Sequence, residues 1–372
     1  MKVFFIILVI LLMPCNVSAD DIYSLWDTTS SQTLDNTAEI SPDFSFDAAV
    51  RDMASGGGTF AVRDLMKNIM NFMLSEVMLS LRVLGRVIIL GVLCGILSGL
   101  HIGKSAEGLK DVAFFVSYIV IAGIATTSFL EVAAAGGRVV GDMVLFTNAA
   151  VPAMGGLLVA AGSPSVFAAL SPSLMLSAGA AGTLIKTVGL PAVYISLSLC
   201  LVSHINEKYS VRKLAMLIKN TAFWIVCAAL TVFTAITGVV GFAAGTLDGI
   251  TAKTAKFAAS SAVPVLGGIL SDSVEAVAGA AIILKNAAGA AGIIFIILGI
   301  IHPLIKIGAV ILTYKLAAAV LQPVSDKRVI EALSDMGDVL AALMGMVAAA
   351  GVTMIVVLAM LINASNLGAM LR

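Results

Sequence analysis

Ala150-Val151-Pro152-Ala153-Met154-Gly155-Gly156-Leu157-Leu158 returns as Ala262-Val263-Pro264-Val265-Leu266-Gly267-Gly268-Ile269-Leu270. An apolar run broken by Pro and paired Gly, and present twice, points to an internally duplicated membrane protein. The echo continues in order. Ser163-Pro164-Ser165-Val166 matches Ser271-Asp272-Ser273-Val274, Ala178 to Gly182 matches Ala288 to Gly292, and Pro191 falls opposite Pro303.

Composition agrees with a chain dissolved in lipid. Of 372 residues, 60% are hydrophobic and 12% charged, and the mean hydropathy is +1.07. A soluble domain carries about 25% charged residues. The expected fold is therefore all-α and polytopic, with an internal parallel repeat and helical hairpins broken at Pro and Gly. Lysines and arginines equal acidic residues at 22 each, so no basic surplus suggests a nucleic-acid partner. There is no phosphate-binding Gly-x-x-x-x-Gly-Lys loop, no His-Glu-x-x-His, no nucleophile elbow and no Cys pair at metal spacing. Neither an enzyme activity nor a cofactor is expected. Cys94, Cys200 and Cys227 sit singly in apolar runs, where a small buried hydrophobe is the simplest role.

Lys2, the apolar run Val3 to Met13 and the small-residue exit Val17-Ser18-Ala19 read as a signal peptide over 1–19, with an uncleaved anchor as the alternative. From Asp20 to Glu76 ten acidic residues face three basic ones. Residues 20–82 are therefore expected outside the cytoplasm, ending in an amphipathic helix from Phe60 to Arg82. A first span and loop follow over 83–111, then membrane repeat 1 over 112–219, repeat 2 over 220–338 and a C-terminal span over 339–372. Spans are expected near 83–101, 112–132, 188–204, 221–244, 291–321 and 339–362, each about 20 apolar residues long or more. The Pro/Gly-punctuated stretches 143–185 and 256–289 are expected either to span as hairpins or to re-enter, turning or breaking at Pro152 and Pro264. Lys208, Arg212, Lys213 and Lys219 make His204 to Lys219 the most basic connector. It should be cytoplasmic, which places the amino terminus outside.

Candidate pathway or packing residues follow from the same pattern. Pro152, Gly155, Gly156, Pro264, Gly267 and Gly268 free carbonyls and admit close backbone approach, uses that serve a pathway and tight packing alike. Asp272, Glu275 and Lys285 lie in the second copy where the first is neutral, and intramembrane charge is a functional signal unless it sits in interfacial water. His302 before Pro303, with Lys306 one turn on, could relay a proton or bond a kink.

Ser261 to Pro264 through Gly267-Gly268, Ser271-Asp272-Ser273-Val274 and Leu284-Lys285-Asn286-Ala287, together with the leader and the acidic exterior stretch, resemble the stage III sporulation protein AE family. The resemblance implies a multi-pass protein of the mother-cell membrane around the engulfed forespore. There it would act as a core or gate component of a secretion-like channel needed for late forespore gene expression. Implied partners are other membrane proteins of the same sporulation operon, ring-forming components and a cytoplasmic ATPase among them, and a forespore-side channel protein, besides the lipid bilayer. The resemblance supplies no catalytic residues. A self-sufficient secondary transporter of a small solute and a passive assembly scaffold remain the alternatives.

Overall fold

The structure is a computed structural model that describes residues 50, 51, 53, 62–99, 107–205, 211–262 and 267–370. The expected signal peptide and the polar part of the exterior segment lie outside the described residues, apart from Val50, Arg51 and Met53.

The described chain is helical throughout: α1 Val62–Gly99, α2 Glu107–Ala160, α3 Pro164–Leu184, a π-helical turn Ile185–Gly189, α4 Leu190–Ser203, α5 Arg212–Ala262, α6 Gly267–Leu321 and α7 Lys327–Met370. Among the described residues, five stretches are long and apolar enough to cross a membrane: Phe114–Ala160, Pro164–Ser203, Arg212–Gly241, Ala278–Leu321 and Lys327–Asn363. The expected first span, 83–101, is the second half of α1, described to Gly99.

The span expected at 112–132 and the first part of the stretch 143–185 are one continuous helix of 54 residues, about 81 Å long at 1.5 Å per residue. Ala133 to Gly137 does not interrupt it, because small residues there let neighbours close in. A Cβ on Gly137 would stand 2.6 Å from Leu190, and one on Gly136 3.3 Å from Val347.

Nor does the chain turn at Pro152, which lies exposed inside α2. The turn comes at Ala161-Gly162-Ser163. There Gly162 adopts φ 82°, Gly162 N–H donates to Val159 O at 2.9 Å, and Ser163 N–H donates to Leu158 O at 3.0 Å. This is a Schellman close, with glycine in the left-handed position and Pro164 opening the next helix. Pro191 is accommodated differently. The π-helical turn directly before it makes room for a ring that would clash with the carbonyl four residues earlier.

α7 is the axis of the bundle and packs against α2, α3, α4, α5 and α6, while α1 lies against α2 and α6. Val339, Leu340, Leu343, Met346, Val347, Ala350, Met354, Val357, Leu358 and Leu361 are all buried along it.

The two ends of the bundle differ. Tyr118 Oη donates to Leu201 O at 2.8 Å, and Arg328 stacks over the Phe114 ring at 3.6 Å. The starts of α2, α5 and α7 and the ends of α4 and α6 thus gather at what we term the connector end. The Gly162 turn and the far part of α7 mark the opposite, turn end. Chain parity agrees with the sequence reading, since the 204–211 and 322–326 connections share one end.

Candidate functional site

The turn half holds most of the residues expected from sequence. Gly155 is buried, and a Cβ there would run into the Phe167 ring across the hairpin; Gly156 is exposed, with nothing near it. Gly155 is thus a packing glycine. Pro152 withholds the donor that would serve the Asn148 carbonyl. The Asn148 side-chain Oδ1 is itself buried without a hydrogen-bond partner.

In the second copy, Pro264 lies outside the described residues, between the end of α5 at Ala262 and the start of α6 at Gly267. Gly267 and Gly268 open α6, and Asp272 and Glu275 follow within it. The two motif copies do not come together. Met154 of the first copy reaches the level of Gly289 on α6, and Gly267 lies 22 residues further toward the helix start, about 33 Å along the axis.

Lys285 is fully buried between α6 and α7, and its Nζ donates to Ile362 O at 2.6 Å. Close packing surrounds it. A Cβ on Gly289 would meet Ile362 and the Met154 methyl, and one on Gly292 would lie 3.0 Å from Leu358. A second polar contact ties α3 to α5: Ser177 Oγ and Thr237 Oγ1, both buried, share a hydrogen bond at 2.7 Å. Each hydroxyl also lies within reach of a carbonyl four residues back in its own helix; one donates to its partner hydroxyl and the other to its own carbonyl, so neither is left unpaired in an apolar setting.

His302 is exposed near the middle of α6, stacked on Phe72 of α1 with centroids 4.0 Å apart. One turn on, Lys306 Nζ donates to Glu131 Oε1 at 2.7 Å. His302 and Lys285 are 17 residues apart on one helix, about 25 Å, so they do not form one site.

The densest ionic cluster is at the connector end. Arg212 Nη2 donates to Asp335 Oδ1 at 2.8 Å, its Nε lies 2.7 Å from Oδ2, and its Nη1 reaches Glu331 Oε2 at 3.3 Å. The buried His204 ring joins them, with Nδ1 2.7 Å from Cys200 O and Nε2 3.6 Å from Asp335 and 3.7 Å from Glu331. Asp335 is wholly buried, while Arg212 is 41% exposed. Lys315 adds a bond to Asp338 at 2.7 Å. A cleft of about 790 Å³ opens beside the cluster between α5 and α7, lined by Arg212, Lys213, Asn220, Asp335 and Asp338 among others.

This cluster escaped the sequence reading, which used Arg212 only to orient the chain. Its acids lie more than a hundred residues away, although Glu331, Asp335 and Asp338 at spacings of four and three mark a shared helical face.

Taken together, the molecule is a multi-pass α-helical membrane protein, with long apolar helices around a buried central one and, among the described residues, most of its ion pairs at one end. The family model for stage III sporulation protein AE matches residues 44–365, and the chain belongs to that family. It is 29% identical to stage III sporulation protein AE of Bacillus subtilis (strain 168) over 324 residues, which cover 87% of this chain and 81% of that protein. No solved structure matches.

Proposed function

We propose that this chain is a membrane core or gate component of a multi-protein, secretion-like channel between mother cell and forespore, required for late gene expression in the forespore. Family membership supports a place in sporulation. The observation that favours a component over a self-sufficient transporter is the filled axis. A secondary transporter binds its substrate near the bilayer midplane in a cavity between broken helices. Here the same depth is occupied by Ala350, Met354, Val357 and Leu358, all buried on a continuous α7.

The partners are other membrane proteins of the same operon, ring-forming components and a cytoplasmic ATPase, with a forespore-side protein completing the conduit. The connector end is the cytoplasmic one, because it collects Arg212, Lys213, Lys219, Lys315, Lys327 and Arg328. In this reading the internal repeat would comprise two long arms in each unit, α2 with α3 and α4, then α5 with α6.

The test is co-purification from sporulating cells of the native organism, paired with a reporter of late forespore transcription. The tagged chain should bring down the operon's other membrane proteins, and its loss should silence the reporter. Asp272→Asn with Glu275→Gln should lower the reporter at normal protein level if these carboxylates face the shared conduit. Isolation of the chain alone, with the reporter intact after its loss, would refute the assignment.

A further inference from the structure

The helices are too long for the membrane they cross. Phe114–Ala160 has 47 residues, Pro164–Ser203 has 40 and Ala278–Leu321 has 44, whereas a hydrocarbon core of about 30 Å needs about 20. Half of each must lie outside the hydrocarbon.

The side chains say which half. Glu131, Arg138 and Lys186 are exposed on the outer surface partway along α2 and the π-helical turn. Lys306 pairs with Glu131 at 2.7 Å. Trp224, 69% exposed on α5, belongs to the same level, as packing across the bundle shows. A Cβ on Gly136 would lie 3.3 Å from Val347 and 3.4 Å from Ile307, one on Gly189 3.3 Å from Met346, and one on Gly345 2.8 Å from Phe223, beside Trp224. These residues form a belt around the molecule. Exposed charge is costly within hydrocarbon, and tryptophan favours the interface.

On the turn side of the belt, residues 143–160, 164–185, 225–247, 286–305 and 347–363 contain no Asp, Glu, Lys or Arg. They present Leu145, Leu176, Val239 and Val352 outward. From Lys306 to Lys285 is 21 residues of α6, about 32 Å, which matches the hydrocarbon thickness. On the connector side, Arg212 is 41% exposed, Lys315 40%, Asp338 43% and Lys327 87%, and Lys213 is exposed as well. Hydrocarbon cannot cover that side without desolvating all of them.

We propose that the bilayer covers only the turn half, between the belt of Glu131, Arg138, Lys186, Trp224 and Lys306 and the level of Lys285 and the Gly162 turn. The connector half then stands out of the membrane as a helical stalk, about 23 Å long from Lys306 to Leu321. It includes the second half of α1, where a Cβ on Gly91 would lie 2.5 Å from Leu321, so the first span expected over 83–101 lies outside the lipid. Exposed apolar residues of the stalk, such as Phe115, Val116, Ile119 and Ile195, meet water or protein and not lipid. This inference is independent of the channel assignment, because it concerns only where the chain meets lipid.

Tryptophan quenching by bromine placed at known depths in the acyl chains tests it, with the full chain in vesicles. The sequence has two tryptophans, so Trp26→Phe isolates Trp224, and Trp26→Phe with Trp224→Phe provides a dark background. On that background, L176W should lose most of its emission to deep bromines, while V116W and I195W should lose none to any. Native Trp224 should respond more to shallow bromines than to deep ones, a readout that needs no new residue at an exposed apolar site. Deep quenching of V116W or I195W equal to that of L176W would overturn the proposal, and so would deep quenching of Trp224.

Discussion

The connector half and the turn half of this bundle are built from the same helices and share close glycine contacts, such as Gly91 against Leu321 and Gly292 against Leu358, but only the connector half adds a cluster of paired charges. Near the connector end, Arg212 joins Glu331 and Asp335 through charge beside the His204 ring, tying α5 to α7, and Lys315 with Asp338 joins α6 to α7. In the turn half the contacts are missing side chains: Gly155 under Phe167, Gly289 against Ile362, Gly292 against Leu358 and Gly351 against Ile300. Where lipid surrounds the helices, apolar burial gives little drive for association, so close approach of small residues and a few internal hydrogen bonds must supply it. Where water reaches the surface, paired charges can fix the helix ends. One helix can thus follow two sets of rules along its length.

Removing a charge at the connector end should have the largest effect. Arg212→Met strands the wholly buried Asp335 carboxylate, a loss of about 3 kcal/mol in unfolding free energy. Adding Asp335→Leu should recover most of it, because the uncompensated charge disappears. A denaturant titration of the purified protein in a bilayer mimetic measures both. If the single variant is as stable as the parent, the cluster is not what holds this end.

Overpacking the turn half should come next. Gly289→Val places methyl groups into Ile362 and Met154 and should cost about 2 kcal/mol, while Gly156→Ala, in open space, should be silent. Equal effects of the two would mean that small residues here do not set helix approach. Ionic strength separates the halves further. Salt should change the deficit of Arg212→Met, whose neighbours Glu331 and Lys327 are screened, and leave that of Gly289→Val as it was. The smallest effect belongs to the hydroxyl pair. Ser177→Ala should cost about 0.6 kcal/mol, the average for a hydrogen bond between membrane helices, and a double-mutant cycle with Thr237→Val should assign it to that pair.

Class and family were legible in the sequence because both rest on residue content and local order. The apolar composition required helices, and the Val-Pro-x-x-Gly-Gly motif with its downstream matches carried the family. The parity of the connectors also came through, since Lys and Arg cluster on one loop. Helix ends were harder to read. Pro152 drew the hairpin turn toward itself because proline ends helices in water. A proline exposed within a long apolar helix can be tolerated, and Gly162-Ser163-Pro164 carried the actual stop signal. The residues between the expected span 112–132 and the stretch 143–185 were left unassigned, yet small residues in a membrane bundle, here Gly136 and Gly137, mark contact with neighbours such as Val347 and Leu190. The Arg212, Glu331 and Asp335 cluster was hidden for another reason. Its members are distant in sequence, and only the packing of α7 between α4 and α5 brings them together.

Both halves share α7 as a filled axis, and the account of this chain as a part of a larger conduit stands on that. The most direct measurement is solute and ion flux through vesicles that contain the purified full chain alone. The account predicts release and uptake no faster than in empty vesicles, with flux appearing only when the partner membrane proteins are added. Saturable uptake by the isolated chain, driven by a proton or sodium gradient, would contradict it.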